Sequence, residues 1–403
     1  MRSVELFAGA GGLALGSSNA GFKHEAVLEW DLDACNTIRE NQRRGLRPPA
    51  EWPEVQPTDI TEFDFSGIKE DLDLVSGGVP CQPWSLGGKH KGDKDARNLF
   101  PAVVKIVRQL RPKAVLIENV KGLTRKVFAN YFAYIKHQLR YPEIVPKSDE
   151  TWTEHLRRLE QHHTSGSTRG LHYNVVYRLV NAADYGIPQK RERVFIVAFR
   201  SDLGIEWGFP GPTHSHDALI SDKYITGEYW DRHDIARRKS VPERLRDHVQ
   251  RLRMLPPPEL PWGTVRDAIA DLPDPEVITE KHEFLNHKHN PGARSYAGHT
   301  GSPMDEPAKT LKAGVHGVPG GENTLAYSNG KVRYFTVREA ARIQTFPDDY
   351  VFHASWTESM RQIGNAVPVK LAELVSRDVA EHLNKVTIGK TSTVQSSREN
   401  KSR

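Results

Sequence analysis

The first half of the chain repeats one arrangement, a short apolar run followed by a turn and a segment of helical spacing, and few folds accommodate it. Val4-Glu5-Leu6-Phe7 leads into a glycine-rich turn at 9–12, and Ala26-Val27-Leu28, Leu72-Asp73-Leu74-Val75 and Ala114-Val115-Leu116-Ile117 follow at intervals. Runs this short and this apolar suit strands buried on both faces, as in a parallel sheet covered by helices. Between the last two runs, Leu99, Phe100, Val103, Val104, Val107 and Leu110 share one side of a helix and Pro112 follows its end, the pattern of a crossover helix. Further strands are expected at 174–179 and 193–199. The fold class that follows is α/β, an open sheet with helices on both faces.

The remainder is less regular. Residues 140–170 are polar, end near Ser165-Gly166-Ser167, and read as an inserted surface segment. Residues 201–332 hold 13 of the 26 prolines. Because proline lacks a backbone donor and fixes φ, helices and central strands should be sparse there, and a separate loop-rich domain is expected. Helical spacing returns at 337–343 and in Val367, Leu371, Leu374, Val375 and Val379, with Asn365 as a cap and Pro368 in the first turn. Residues 386–403 have almost no apolar side chains and are expected to be disordered. The expected organisation is a domain over 1–200 that resumes at 333–385, a second domain at 201–332, and the tail.

Charge and cysteine content narrow the function. A formal net charge of +5 favours a polyanionic partner without requiring one. Cys35 and Cys81 are the only cysteines, which excludes a disulfide framework and suits a reducing compartment. No run approaches the roughly 18–20 apolar residues of a bilayer span, and residues 1–7 lead into a turn instead of a signal sequence, so a cytoplasmic protein without a membrane partner is expected.

Two segments carry chemistry. The turn Phe7-Ala8-Gly9-Ala10-Gly11-Gly12 joins a strand to a helix, where backbone must come close to a ligand. With Ala14 and Glu29 it also satisfies a dinucleotide fingerprint, so a nucleotide-like cofactor is implied but not which one. Gly77-Gly78-Val79-Pro80-Cys81-Gln82-Pro83-Trp84-Ser85 follows the run at 72–75, which puts Cys81 on a loop at the carboxyl end of a strand, where open α/β sheets bind ligands. Cys81 is surrounded by residues poor at core packing and reads as a nucleophile; Cys35, in a helical segment, reads as a small core residue.

Together these motifs resemble the DNA cytosine-5 methyltransferases, including the bacterial enzymes of restriction-modification systems. Pro80-Cys81-Gln82 is similar to the family's catalytic motif and the glycine turn to its cofactor motif. Glu118-Asn119-Val120, Gln189-Lys190-Arg191-Glu192-Arg193, the segment 338–344 with Phe346-Pro347-Asp348, and Gln362-Ile363-Gly364-Asn365-Ala366-Val367-Pro368 match in family order. The resemblance implies a Rossmann-like sheet that binds S-adenosylmethionine, released as S-adenosylhomocysteine, and no metal. It assigns Cys81 to attack at position 6 of cytosine, Glu118 to ring N3 and the exocyclic amine, Arg193 to the carbonyl oxygen, and Arg191 to electrostatic support of Cys81 and the DNA backbone. Phe7, Ala10, Gly12, Glu29, Trp30, Asp59, Ile60, Pro80, Leu99, Asn365 and Val367 would line the cofactor, with Glu29 on the ribose and Trp30 beside the adenine.

The same resemblance implies double-stranded DNA as partner, a monomer, and a restriction endonuclease acting on the same site without necessarily being bound. Residues 201–332 take the position of a target-recognition domain, and Thr310-Leu311 resembles the short signature near its end. A cytosine in a duplex must leave the stack to reach Cys81; Ser85, Lys89, Lys91, Lys94 and Arg97 would close on the DNA, and the charge run at 232–253 is a candidate phosphate-binding surface or a solvated helix face. Three other readings stand beside this one: methylation of tRNA by the same chemistry, a nicotinamide-dependent oxidoreductase built on the glycine turn, and a DNA-binding module on an inactive scaffold. The oxidoreductase reading leaves Cys81, Glu118 and Arg193 without a role.

Overall fold

The computed structural model describes residues 1–80, 99–166, 169–237, 240–277, 284–295, 300–313 and 323–399, with side chains as far as 386. The chain divides into two compact units, one of Met1–Leu179, Arg193–Pro210 and Ala372–Arg403, the other of Val180–Glu192 and Gly211–Leu371.

In the first unit the expected alternation is present: β1 (Arg2–Leu6), α1 (Gly12–Asn19), β2 (Lys23–Leu28), α2 (Leu32–Arg43), β3 (Leu74–Gly78), α3 (Phe100–Leu110), β4 (Ala114–Val120), α4 (Ala129–Arg140), α5 (Trp152–Thr164), β5 (Tyr173–Asn181) and β6 (Glu192–Arg200). The six strands lie in the order β2-β1-β3-β4-β6-β5. The first four run parallel, but β6 runs antiparallel to β4, so the sheet is mixed where a parallel one was expected. The cause is connection length. Parallel neighbours need a crossover of a dozen or more residues, and the link from β5 to β6 at 182–191 contains no helix of that kind. Leu6, Val75, Val103, Val107, Ile117 and Ile196 fill one core beneath α3, where Pro101 stands in the first turn and Arg111 ends the helix at φ 48°.

Gly77 is required where β1 and β3 meet, because a Cβ there would lie 2.5 Å from the Leu6 carbonyl oxygen. The segment expected to be an irregular insertion is helical over α5. Its N-terminus is closed by a capping box between Thr151 and Glu154, and Leu156 and Leu159 form a narrow buried stripe. Most of the helix surface is polar, which is why the sequence pattern conceals it.

The second unit is built from short pieces: β7 (His214–Ser215), α6 (His216–Ser221), α7 (Glu228–Arg232), α8 (Arg246–Met254), β8 (Leu260–Pro261), α9 (Val265–Ile269), β9 (Ser302–Pro303), β10 (Thr324–Ala326), β11 (Val332–Tyr334), α10 (Val337–Ile343) and α11 (Trp356–Asn365). Such brevity follows from the proline content. Compactness groups α10 and α11 with this unit, and the chain rejoins the first at Ala372, inside α12 (Val369–Glu399). Asn365 is the last residue of α11 and not the cap of α12, because its Gly364-Asn365-Ala366 turn belongs to the end of the preceding helix. Leu371, Val375, Val379 and Leu383 are buried along α12. The backbone is helical to Glu399, where a disordered tail over 386–403 was expected, and residues 400–403 lie outside those described; no proline interrupts the helix. Among the described residues no helix is long and apolar enough to cross a membrane.

Candidate active site

The cofactor cradle forms where β1 and β2 end side by side. Phe7 leaves β1 at φ 55°, Gly9 at 54° and Gly11 at 83°, a left-handed course that turns the chain into α1. A Cβ on Gly9 would meet nothing within 4 Å, so its backbone faces open space. At the end of β2, Glu29 is 7% exposed and accepts three backbone N–H bonds, from Gly9 at 2.7 Å, Trp30 at 2.9 Å and Asp31 at 2.8 Å. Burial pushes its carboxyl up from the ordinary value, and the three donors oppose that shift.

A buried carboxylate fixed beside an open glycine turn fits the hydroxyls of a ribose, which can donate to its remaining lone pairs. The turn carrying Asp59 and Ile60 is tied to the same strand end by the Thr58 N–H to Glu29 carbonyl bond of 2.7 Å. Asp59 is exposed and accepts from the Thr61 N–H, Ile60 is buried, and the Trp30 ring is 73% exposed. Ala10 and Gly12 are buried in the turn, whereas Pro80 and Leu99, on either side of the undescribed 81–98, are half-buried.

The candidate catalytic groups gather at the adjacent ends of β3 and β4. Parallel register sets Gly78 opposite Glu118, and the Glu118 Oε2 lies 3.5 Å from where a Gly78 Cβ would be. Arg193 on β6 faces Val120, so its side chain shares a sheet face with Glu118 two residues away. The Arg193 Nε to Glu118 Oε1 distance is 2.8 Å, with the side chains 12% and 8% exposed. Burial pulls the Arg193 guanidinium below its ordinary range, and Glu118 counteracts it. Asn119, which sequence reasoning placed in a motif without a role, donates its side-chain amide to the Val79 carbonyl at 3.0 Å. That bond anchors the backbone two residues before Cys81.

Cys81, Ser85, Lys89, Lys91, Lys94 and Arg97 lie outside the described residues. Cys35, the other cysteine, is fully buried, and burial pushes its thiol up to about 12, so it is no nucleophile.

In the second unit Arg191 is fully buried and donates to the carbonyls of Leu311 at 3.1 Å, Gly364 at 2.7 Å and Ala366 at 2.9 Å. Gln189 donates to Gln344 at 3.0 Å and accepts from the Leu311 N–H at 3.0 Å, and Gln344 donates to the Ile363 and Ala366 carbonyls at 2.6 and 3.0 Å. The two glutamines and Arg191 thus knit three matched segments together, a function invisible in sequence because each partner is a remote backbone group. Leu311, expected at the DNA, is 1% exposed with its N–H and carbonyl engaged in this network. Its buried side chain is not available for contact, whereas Thr310 is half-exposed and donates to the Lys190 carbonyl at 2.7 Å. Asn365 is exposed and Val367 buried.

The model of the C-5 cytosine-specific DNA methylase family matches residues 1–141 and 155–381. The chain belongs to that family. Among its relatives are Type II methyltransferase M.Eco47II of Escherichia coli, 33% identical over 95% of this chain and 79% of the relative, and M.NgoMIV of Neisseria gonorrhoeae, 30% identical over 95% and 98%. A solved putative DNA modification methyltransferase encoded within an E. coli prophage shares the fold at TM-score 0.57 and 20% identity, covering 95% of this chain and 99% of that one. The Dnmt2 methyltransferase of S. pombe does so at TM-score 0.53 and 18% identity, covering 96% and 99%. This cytosine-5 methylase is therefore a DNA methyltransferase that uses S-adenosylmethionine, and the dinucleotide-oxidoreductase reading of its glycine turn is set aside.

Proposed function

We propose that this methylase works through Cys81, with Glu118 and Arg193 holding a cytosine that has left the duplex. Position 5 of cytosine is too weak a nucleophile to attack a methyl sulfonium unaided. Addition of the Cys81 thiolate at position 6 converts the ring to an enamine, and electron density moves to position 5 and towards N3. Glu118 meets N3 and the exocyclic amine and shares a proton as charge builds there; Arg193 donates to the carbonyl oxygen. Bound S-adenosylmethionine supplies the electrophilic methyl. Loss of the position-5 proton to a base then restores the double bond and expels Cys81.

The observation that carries this reading is the Glu118–Arg193 pair at 2.8 Å, buried at the end of β4 opposite Gly78, three positions before Cys81 in the sequence. One acceptor and one cation held together present complementary groups to adjacent edges of a pyrimidine. Glu29 would hold the ribose, Trp30 would flank the adenine with Asp59 and Ile60 at its edge, and Phe7 would line the cofactor. Ala10, Gly12, Pro80, Leu99, Asn365 and Val367 would complete the pocket; Arg191, expected to support Cys81 and the DNA backbone, is fully buried on the carbonyls of Leu311, Gly364 and Ala366 and would instead hold the turn that carries Asn365. Ser85, Lys89, Lys91, Arg97 and Thr310 would meet the DNA. No metal is called for by this chemistry. The relatives named Type II methyltransferases support a role in restriction-modification; the protein would act as a monomer in a bacterial cytoplasm, protecting sites shared with a restriction endonuclease.

Bisulfite sequencing of DNA from cells expressing the chain tests this reading. A protected cytosine in a fixed sequence context is expected, and its loss in Cys81→Ala, with cofactor binding preserved. Ordinary methylation by that variant would overturn the assignment of the nucleophile.

A further inference from the structure

The seventeen residues 237–253 contain seven Arg and Lys against Glu243 and Asp247, an excess of five, equal to the formal +5 of the whole chain. Over the rest of the chain the formal charges sum to zero. The stretch ends in α8, whose Val249 and Leu252 are buried against Ile220 with Tyr224, Ile225 and Leu245 packed around them. That anchor leaves Arg244, Arg246, Arg251 and Arg253 exposed.

Other arginines of the same unit serve the fold and are matched with carboxylates. Arg232 pairs with Asp222 at 2.7 Å, Arg266 with Asp305 at 2.8 Å, Arg333 with Glu339 at 2.6 Å and Arg342 with Asp348 at 2.6 Å. On α8 the pattern breaks. Arg246 is 3.8 Å from Glu243, Arg251 meets only His248 at 3.1 Å, and Arg244 and Arg253 reach no carboxylate among the described residues. Arg246 and Arg253 are seven residues apart on α8, which is two helical turns, or about 10 Å, Arg251 stands on the same helix, and Arg244 lies in the turn at 243–245 that leads into it. Gln250 and Met254 are exposed on the same anchored helix.

We propose that α8 and the turn before it form a sequence-independent binding surface for the phosphates of duplex DNA, separate from the residues that read bases or hold the cytosine. Exposed guanidinium groups that no buried carboxylate engages suit phosphate oxygens, which they bind with two parallel bonds. Such contacts hold the enzyme on DNA between target sites and set its register without supplying specificity. The inference rests on the DNA methyltransferase reading for its choice of polyanion.

The test is binding of the full chain to two duplexes by fluorescence anisotropy across a salt series, one with the methylated sequence and one without. In Arg244→Ala/Arg251→Ala/Arg253→Ala, loss of three phosphate contacts makes the slope of log K against log salt shallower by about 2.7, from about 0.9 per contact. The decrement is the same on both duplexes, and the triple Arg→Lys variant retains most of the slope. The thermal midpoint and the affinity for S-adenosylmethionine report that the alanine variant is folded. An unchanged slope, or a loss confined to the target duplex, overturns the proposal. Wild-type protein that binds both duplexes but methylates neither would defeat the functional reading instead, so the two failures are distinguishable.

Discussion

Replacing Arg193 by methionine isolates the pair at the end of β4. At 2.8 Å the two charges attract by about 6 kcal/mol if the effective dielectric constant is roughly 20, most of it offset by the cost of removing both from water. The net worth of the intact pair is therefore small. Removing one member is different: the Glu118 side chain is 8% exposed, the remaining carboxylate loses the cation beside it, and a loss of about 3–5 kcal/mol is expected. Glu118→Gln alone strands the guanidinium and costs a similar amount, whereas Glu118→Gln with Arg193→Met removes both charges and should recover at least about 2 kcal/mol of the summed losses. Equilibrium urea unfolding of the four proteins gives the cycle. Single losses below about 1 kcal/mol, or a double variant additive to within about 0.5 kcal/mol, would show that the two groups are not coupled and refute the argument.

Two further outcomes follow from buried carboxyls. Glu29→Gln places an amide donor against the N–H groups of Gly9, Trp30 and Asp31; calorimetry should show S-adenosylmethionine binding about 10–100-fold more weakly with DNA affinity retained, and equal affinity would remove Glu29 from the cofactor site. Glu5 on β1 is fully buried with Ser76 as hydroxyl donor, and burial pushes its carboxyl from the ordinary 4.5 up to about 8. The folded state then holds a proton that the unfolded chain releases, so wild-type stability is full below pH about 4.5 and falls as pH rises towards about 8, by at most roughly 5 kcal/mol. Glu5→Gln should abolish this dependence, and a wild-type minus variant difference that stays constant from pH 5 to 8 would contradict it.

Much of this was legible because the first unit obeys local rules. The runs at 26–28, 72–75 and 114–117 fall in or against β2, β3 and β4, and the stripe from Phe100 to Leu110 is the buried face of α3. The reversal of β6 was not legible, since strand direction depends on what connects two strands and not on their composition. Helix α5 escaped because its buried face mixes His155 with Trp152, Leu156 and Leu159 and so does not read as an apolar stripe, and α12 continues past Leu383, the last residue of its buried pattern, with no proline to end it. At the site, residue types identified Glu118 and Arg193, whose meeting depends on the antiparallel register of β4 and β6. Arg191 and Leu311 show the limit: one is a clamp on carbonyls and the other a buried member of the same network, and neither fact is encoded near either residue.

Transient attachment of the enzyme to its base is the centre of the account. Incubating the protein and S-adenosylmethionine with a duplex carrying 5-fluorocytosine at the target position, followed by digestion and peptide mass spectrometry, tests it directly. Fluorine cannot leave as a proton does, so the peptide containing Cys81 should carry the methylated pyrimidine. Turnover on ordinary DNA with no adduct on the fluorinated target, or an adduct on any other residue, would contradict it.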